Sequence, residues 1–491
     1  MRNVKRFLPW LLAVAYLDCG ASPALITVND FGDAGPGNCT TTCTLRDAIS
    51  AALASVPLKG VTFSAAAGWP QTITLSQGQL SINNTSGSTF LVLGPGAAKL
   101  AVSASNTTRV LQVSAGVNKI SALTLRDGKT IGFSPGSQPF GSGNPGQDAG
   151  SAAGGCIVIN GGATLILELS DVRNCVAQGG TGGNGGSGIT TGTGTGGTGG
   201  NGGGGGAAAG GGIYSDGALS LIQSSVVNAS VTSGPGGNGG AGGPGFPFNG
   251  IGGNGGPAGI AAGGGIAVTA TGNVLIRNTT LAGSTAAAGN GGNGGNGGTV
   301  SASGNGGNGG SVNGGQLYIA GAVVVADLEF TTLANGTSLA GGGGFPGATG
   351  SPIGGPGQSG VARGSGIYST GPTSAIVASS VIVGASAGTL CYGSIAADAG
   401  SVNLDQDSSC TGFTLHDTFA HVLLPLNLAT TGWPGYEPVY HSSIVDAATG
   451  CTQIGGVIVV ADDQHGTPRP QGAKCDLGAI ESDYLFANGF N

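Results

Sequence analysis

Gly154-Gly-Cys-Ile-Val-Ile159, then Ala163-Thr-Leu-Ile-Leu167, then a long glycine-rich run: this succession recurs along the middle of the chain. The second copy reads Gly211-Gly-Ile-Tyr214 and Ala218-Leu-Ser-Leu-Ile222. Further copies read Gly264-Gly-Ile-Ala-Val268 with Val274-Leu-Ile276, Gly314-Gly-Gln-Leu-Tyr-Ile319, and Gly364-Ser-Gly-Ile-Tyr368 with Ala375-Ile-Val377. Each holds short β-branched and aliphatic runs of period two, bounded by Gly, Asn and Ser, which are strand and turn signals. One copy is too small to bury its own apolar face. Stacked copies bury it together, so the expected fold is an all-β solenoid, a parallel β-helix. After the first two dozen residues, only Leu45 to Leu53 carries a helical period.

Between the strand runs lie four glycine tracts, Gly179 to Gly206, Gly234 to Gly259, Gly289 to Gly315 and Gly341 to Gly360. Their period is near three, as in Asn290-Gly-Gly-Asn-Gly-Gly-Asn-Gly-Gly298. A polyproline-II helix has three residues per turn, and Gly permits close approach at a crowded axis. Insertions recurring at one point of the repeat are expected to lie side by side on one flank, as a layered sheaf of polyproline-II helices. The alternative is four disordered loops.

Nine cysteines are present. Removing a signal peptide deletes Cys19 and leaves four local pairs: Cys39/Cys43, Cys156/Cys175, Cys391/Cys410 and Cys451/Cys475. None of these is a Cys-x-x-Cys and no histidine stands at zinc-finger spacing, so disulfides in an oxidising compartment are expected rather than a metal site. The second and third pairs are both 19 residues apart. Adjacent coils of a β-helix lie ~4.8 Å apart, within disulfide reach, so each bridge is expected to staple one coil to the next.

Composition bounds the function. Charged residues make up 8% of the 491, and 15 Lys+Arg against 22 Asp+Glu leave a net charge of −7. That leaves no basic stripe for nucleic acid. Arg2, Lys5 and Arg6 precede an apolar stretch from Phe7 to Leu17 and small residues ending at Ala24, the pattern of a secretory signal. The chain divides into residues 1–24 (signal), 25–150 (N-terminal cap and first coils), 151–390 (repeats with insertions), 391–481 (C-terminal coils and cap) and 482–491 (a short tail). No segment after the signal reads as transmembrane.

Active-site motifs are weak. A calcium-binding glycine repeat needs acidic residues, but Asp216 is the only one from Gly179 to Gly315. Gly128-Lys-Thr130 lacks the first glycine of a phosphate loop. Some parallel β-helices cleave acidic polysaccharides with clustered carboxylates. The candidates here are Asp398, Asp405 and Asp407, and separately Asp462, Asp463 and His465. Turn and cap hydrogen bonds are the expected roles of these residues, ahead of catalysis. His416 and His421 flank Asp417 as a surface pair. No catalytic residue, metal or cofactor is assigned.

Ile26-Thr-Val28 followed by Cys43-Thr-Leu-Arg-Asp-Ala-Ile49 resembles the Cys-Ser-Leu-Arg-Glu-Ala motif that opens many bacterial exported β-helix proteins. Ser443-Ile-Val-Asp446, Asp463-Gln-His-Gly466, Arg469-Pro470 and Cys475-Asp-Leu-Gly-Ala-Ile-Glu481 resemble the closing signature of choice-of-anchor Q proteins. His465 departs from it, standing where the family usually has Arg, and so do the long glycine tracts. The resemblance implies a right-handed, exported β-helix on the outer surface of a bacterium, without established catalytic residues. The end motifs read as caps: Arg46 with a nearby carboxylate at the N-terminal end, and Asp446, Asp463, Arg469, Asp476 and Glu481 at the C-terminal end. The expected role is a non-enzymatic surface or secreted protein, adhesive or structural. Its partners would be surface glycans, other copies of itself or another cell-surface protein. The alternatives are a polysaccharide lyase or hydrolase, and a flat-surface binder of ice or of a receptor.

Overall fold

The computed structural model describes residues 24–35, 38–269, 272–321, 325–370, 375–384, 388–427 and 434–482. The signal peptide and the C-terminal tail read from the sequence lie outside these, apart from Ala24 and Ser482. Strand pairs with strand in parallel throughout the solenoid, each residue facing its counterpart in the next lap. One row runs Leu111, Ile157, Ile213, Ile266, Leu317, Ile367 and Cys391. A second runs Leu165, Leu219, Val274, Ala326 and Ala375, and a third Val172, Val226, Leu281, Leu333 and Ile382. All three rows are buried and meet in one core. The chain is therefore a parallel β-helix whose lumen is the core. Each fully buried Leu, Ile or Val contributes roughly 1.5–3 kcal/mol.

The corners repeat as regularly as the strands. Gly154, Gly210, Gly263, Gly314 and Gly364 all take φ between 60° and 77°, the left-handed region that glycine adopts at no steric cost. That is why every copy of the repeat opens on glycine. A second corner uses Ala122, Leu169, Gln223, Asn278, Phe330 and Ser379, all at φ between 47° and 58°. For non-glycine residues this costs about 1–2 kcal/mol each, so contacts elsewhere must hold the row in place.

Helix α1 (Leu45–Leu53) closes the N-terminal mouth. Thr44 caps it by accepting from the Asp47 N–H, and Leu45, Ala48, Ile49 and Ala52 face down into the lumen. Arg46 pairs with Asp33 at 2.9 Å and donates to the carbonyls of Gly78 and Gln79.

The C-terminal segment does something else. Asp446, Asp463, Arg469, Asp476 and Glu481 do not cap the last coil; they lie along the side of the solenoid. There Val422, Leu423, Tyr436, Ile444 and Leu477 cover an outward strip of Val227, Ala282, Phe330, Ala334 and Val383. Left bare, that strip would be an apolar patch across several laps. The segment also clasps the second corner. Gln223 Nε2 donates to Asp463 O at 2.7 Å, Asn278 Nδ2 to Asp462 O at 2.6 Å, and Gly478 N–H to Ser379 O at 2.8 Å. Arg469 stands 4.5 Å over the Phe330 ring and pairs with Glu481 at 2.7 Å. Burial lowers the Arg469 pKa and raises that of Glu481, while their mutual attraction opposes both shifts. Asp463 accepts from the N–H groups of His465, Thr467 and Glu481, and Asp476 from that of Asp446. These carboxylates shape the covering segment.

Four disulfides join the expected pairs. Cys391–Cys410 links one lap to the next, whose Asp407 and Ser409 accept from Leu390 and Cys391. Cys156–Cys175 does not. Both cysteines belong to one lap, and the neighbour of the Cys156 N–H in the following lap is Gly212. The bridge closes a single lap at the corner where a glycine tract departs. The equal spacings thus arise from two geometries, because a lap that carries an insertion is far longer than 19 residues.

Non-reducing peptide mapping is expected to recover these four links and no free thiol in the mature chain. Gly263→Ala is expected to lower stability by about 2 kcal/mol or more, because its Cβ would collide with the Ile266 carbonyl oxygen at a left-handed position. Thermal unfolding against Asn228→Gly, a change at another left-handed corner (φ 52°) that should be nearly neutral, measures the difference.

Candidate functional site: a layered glycine array

The glycine tracts are ordered hairpins. In the tract beginning at Gly179, the N–H groups of Gly197, Gly200, Gly203 and Gly206 donate to Ile189, Gly186, Gly183 and Gly180. The chain therefore leaves the solenoid, turns near 190–195 and returns against itself. The tracts from Gly234, Gly289 and Gly341 do the same. A fifth hairpin was missed in the sequence. It spans 132–150, where Gly150 N–H donates to Phe133 O, and it pairs with the next hairpin through Gly146 and Ala149. Its signal was faint: Gly143, Gly146 and Gly150 approach the triplet spacing, but Ser, Gln and Pro interrupt it. The boundary drawn at residue 150 thus separates this hairpin from the array it belongs to.

Outgoing legs form one layer and returning legs another. The triplet Gly236-Gly237-Asn238 shows how the period of three arises. Gly236 N–H donates to Asn290 O in the next hairpin, and Gly237 N–H crosses the layers to Gly203 O. Asn238 N–H goes to the Asn184 side-chain oxygen at 2.8 Å in the previous hairpin. A Cβ on either glycine would collide with backbone carbonyls, at Gly236 with Gly256 in the other layer and at Gly237 with Gly183 in the neighbouring leg of its own layer. The third position points out. All three amides are satisfied, as buried backbone requires.

That third bond explains the asparagines. The side-chain oxygens of Asn201, Asn238, Asn254, Asn293 and Asn305 each accept the amide one hairpin further on, from Asn254, Asn293, Asn305, Phe345 and Gly355, at 2.7–2.9 Å. Proline appears where an amide would have no acceptor. Pro257 lies beside Gly204, which has no side chain to offer. In the last hairpin, Pro346 and Pro356 occupy positions whose N–H groups would point to a further hairpin. The far edge is thus partly stripped of donors, a known guard against edge-to-edge addition.

The array is nearly free of charge; Asp148, in the first hairpin, is the exception. Its two outer surfaces carry exposed Asn, Thr, Ser, Ala and Pro, with apolar Ile251, Ile260, Phe345 and Val361 among them. The exposed asparagines hold fixed orientations. Among the described residues, the Nδ2 groups of Asn201, Asn238, Asn254, Asn293 and Asn305 have no protein partner, so they stand as preoriented donors.

The carboxylates singled out in the sequence do not converge. Asp405 is buried, accepts from Cys410 N–H at 2.9 Å and pairs with His416 Nδ1. Asp407 accepts from Leu390 N–H, and Asp463 shapes the covering segment. Asp398 lies apart at a cleft beside that segment. Asp417 pairs with His421 Nδ1 at 2.9 Å on the surface. Asp171 was not singled out, yet it is the most perturbed carboxyl. Full burial pushes it up to about 6 against the pull of Arg173 and the Ser225 hydroxyl. Arg173 Nε is 3.1 Å away but too poorly aligned to hydrogen-bond. No His/Cys/Asp/Glu group among the described residues could hold a metal ion, and no helix there is long and apolar enough to cross a membrane.

The architecture is that of a parallel β-helix bearing a lateral glycine array. No protein-family model and no curated protein matches the sequence. Among solved structures, the chain is similar to the pectate lyase Pel9A, at 14% identity and TM-score 0.33, covering 94% of this chain and 97% of that one. It is also similar to a springtail antifreeze protein from Granisotoma rainieri, described as a nine polyproline type II helical bundle, at 21% identity and TM-score 0.14, covering 46% and 92%. A third is the Geobacillus virus E2 protein ORF18, at 13% identity and TM-score 0.19, covering 65% and 58%.

Replacing Pro346 and Pro356 together by Gly is expected to bare two edge donors and raise self-association, read as dimer fraction by light scattering. An unchanged monomer would show that the prolines do not guard the edge. Asp171 gives a pH signature. Its pKa in the folded chain exceeds the ordinary value of 3.8, so the folded state holds the proton more tightly. Stability should fall as pH rises from about 4 to about 6, then level off. Asp171→Asn is expected to remove that slope and add up to about 3 kcal/mol at pH 7, measured by unfolding across pH.

Proposed function

We propose that this is an exported, non-enzymatic binding protein of the choice-of-anchor Q type, acting at a cell surface, whose binding element is the glycine array. The observation that carries this reading is that every amide of the Gly236-Gly237-Asn238 triplet has an acceptor, a pattern repeated along the hairpins. Ordering a glycine costs roughly 1 kcal/mol more than ordering an alanine. A chain that merely linked two strands would gain nothing from so costly an arrangement. The three-residue period supports polyproline-II helices as the conformation of the legs. The N-terminal signal pattern and four disulfides support export.

A rigid, uncharged surface suits extended contact with neutral polymers. Its asparagine donors are already immobilised, so binding would not have to order them. Neutral surface glycans fit this chemistry better than acidic ones, because the array offers no cation. The dispersal of Asp398, Asp405, Asp407 and Asp463 favours binding over lyase or hydrolase chemistry, which needs carboxylates gathered at one place.

Hydrogen exchange on the mature protein is expected to show protected amides across 289–315; random-coil rates there would overturn the array as a binding element. Retention on an insoluble neutral glucan or mannan is expected for the native protein. It should be lost on Ile251→Lys with Phe345→Lys, which charges both outer surfaces without removing an asparagine acceptor, with the melting temperature little changed.

A further inference from the structure

The cleft beside Asp398 is a second candidate for binding, far from the array. It has a volume of about 430 Å³ and lies where the last laps meet the covering segment. One wall is Ser379, Asp398, Gly400 and Ser401; the other is Thr449, Thr452, Gln453 and Gly456. Its size lies within the range of small-molecule sites, roughly 300–1,000 Å³.

The lining is chemically one-sided. Asp398 Oδ2 faces Gly455 N–H at a long 3.5 Å. Asp398 Oδ1, the Gln453 amide and the hydroxyls of Ser379, Thr449 and Thr452 have no protein partner among the described residues. Side-chain donors and acceptors thus converge on open space, and no aromatic ring or cation lines it. Outside the lining, Glu329 is paired with Arg277, and its other oxygen accepts Ile454 N–H at 2.8 Å. Glycines 400, 455 and 456 take positive φ, and a Cβ on any of them would meet nothing within 4 Å. The walls are therefore kept low by residues without side chains.

We propose that this cleft binds one or two residues of a neutral saccharide. A sugar ring presents vicinal hydroxyls that can donate to the Asp398 carboxylate and accept from Gln453 and the two threonines. The lone carboxylate would repel a uronate, and nothing in the lining offsets that charge. Glycosidic cleavage needs two carboxyl groups flanking the bond. Asp398 is the only carboxylate in the lining, so the site binds without cleaving. The proposal does not depend on the array: it concerns short ligands, whereas the array would need a long one.

Titration calorimetry and ligand-observed NMR on the mature protein test it. The probes are cellobiose, lactose and mannobiose, with digalacturonate and the glucosamine disaccharide as charged controls. Saturable binding of at least one neutral disaccharide is expected at millimolar Kd. Asp398→Asn, which keeps an acceptor for Gly455, and Gln453→Ala should each weaken it by about tenfold, the loss of one hydrogen bond to a charged or well-placed group. The array variant Ile251→Lys with Phe345→Lys should leave it unchanged. No binding by any neutral probe, binding indifferent to both cleft changes, or a preference for either charged control would overturn the proposal.

Discussion

Each lap of this chain is held by the laps on either side, through backbone N–H groups that donate forward to the next lap at some positions and back to the previous one at others, as Asn160 N–H does to Val113 O. Ile157 N–H reaches Gly212 O, Ile213 N–H reaches Gly265 O, and Ile266 N–H reaches Gln316 O. The array obeys the same rule. Gly182 donates to Pro235, Gly236 to Asn290 and Gly291 to Gly342. A buried amide without an acceptor is costly, so the register that the strands set in the lumen is carried outward into the glycine hairpins. The array is an extension of the solenoid's hydrogen-bond lattice into a region where side chains cannot fit.

That lattice assigns residue types by what each amide can find. Where two legs approach this closely, within a layer or across it, only glycine has room. Where the outward amide needs an acceptor, the asparagine of the previous hairpin supplies it, so Asn recurs in columns. Where no acceptor exists, as beside Gly204, proline removes the donor. The same account covers the end of the array, where two prolines stand in place of donors that would have no further hairpin to meet.

The second corner shows how strain and cover are coupled. Gln223, Asn278, Phe330 and Ser379 hold left-handed conformations, and the C-terminal segment grips each of them by a hydrogen bond or, at Phe330, by the Arg469 guanidinium. Covering the outward apolar strip and holding the strained row are one structural act. The cleft at Asp398 is its by-product, formed where the segment rides over the last laps.

The sequence by itself determined the coil: repeated apolar alternation, a glycine at one corner of each copy, an amphipathic helix at Leu45, and cysteines in local pairs are all short-range signals. It also determined that the glycine tracts share a period of three, because that period is written in consecutive residues. Tertiary structure decided what depends on which lap stands next to which. The 132–150 hairpin belongs to the array through partners some fifty positions away, such as Asn201 and Gly204. Cys156 and Cys175 close one lap because the intervening strands turn two corners between them. The carboxylates and Arg469 near the C-terminus lie along the side of the solenoid because an outward strip from Val227 to Val383 had to be covered. No local pattern encodes that strip, since its residues come from separate laps and become neighbours only when the laps stack.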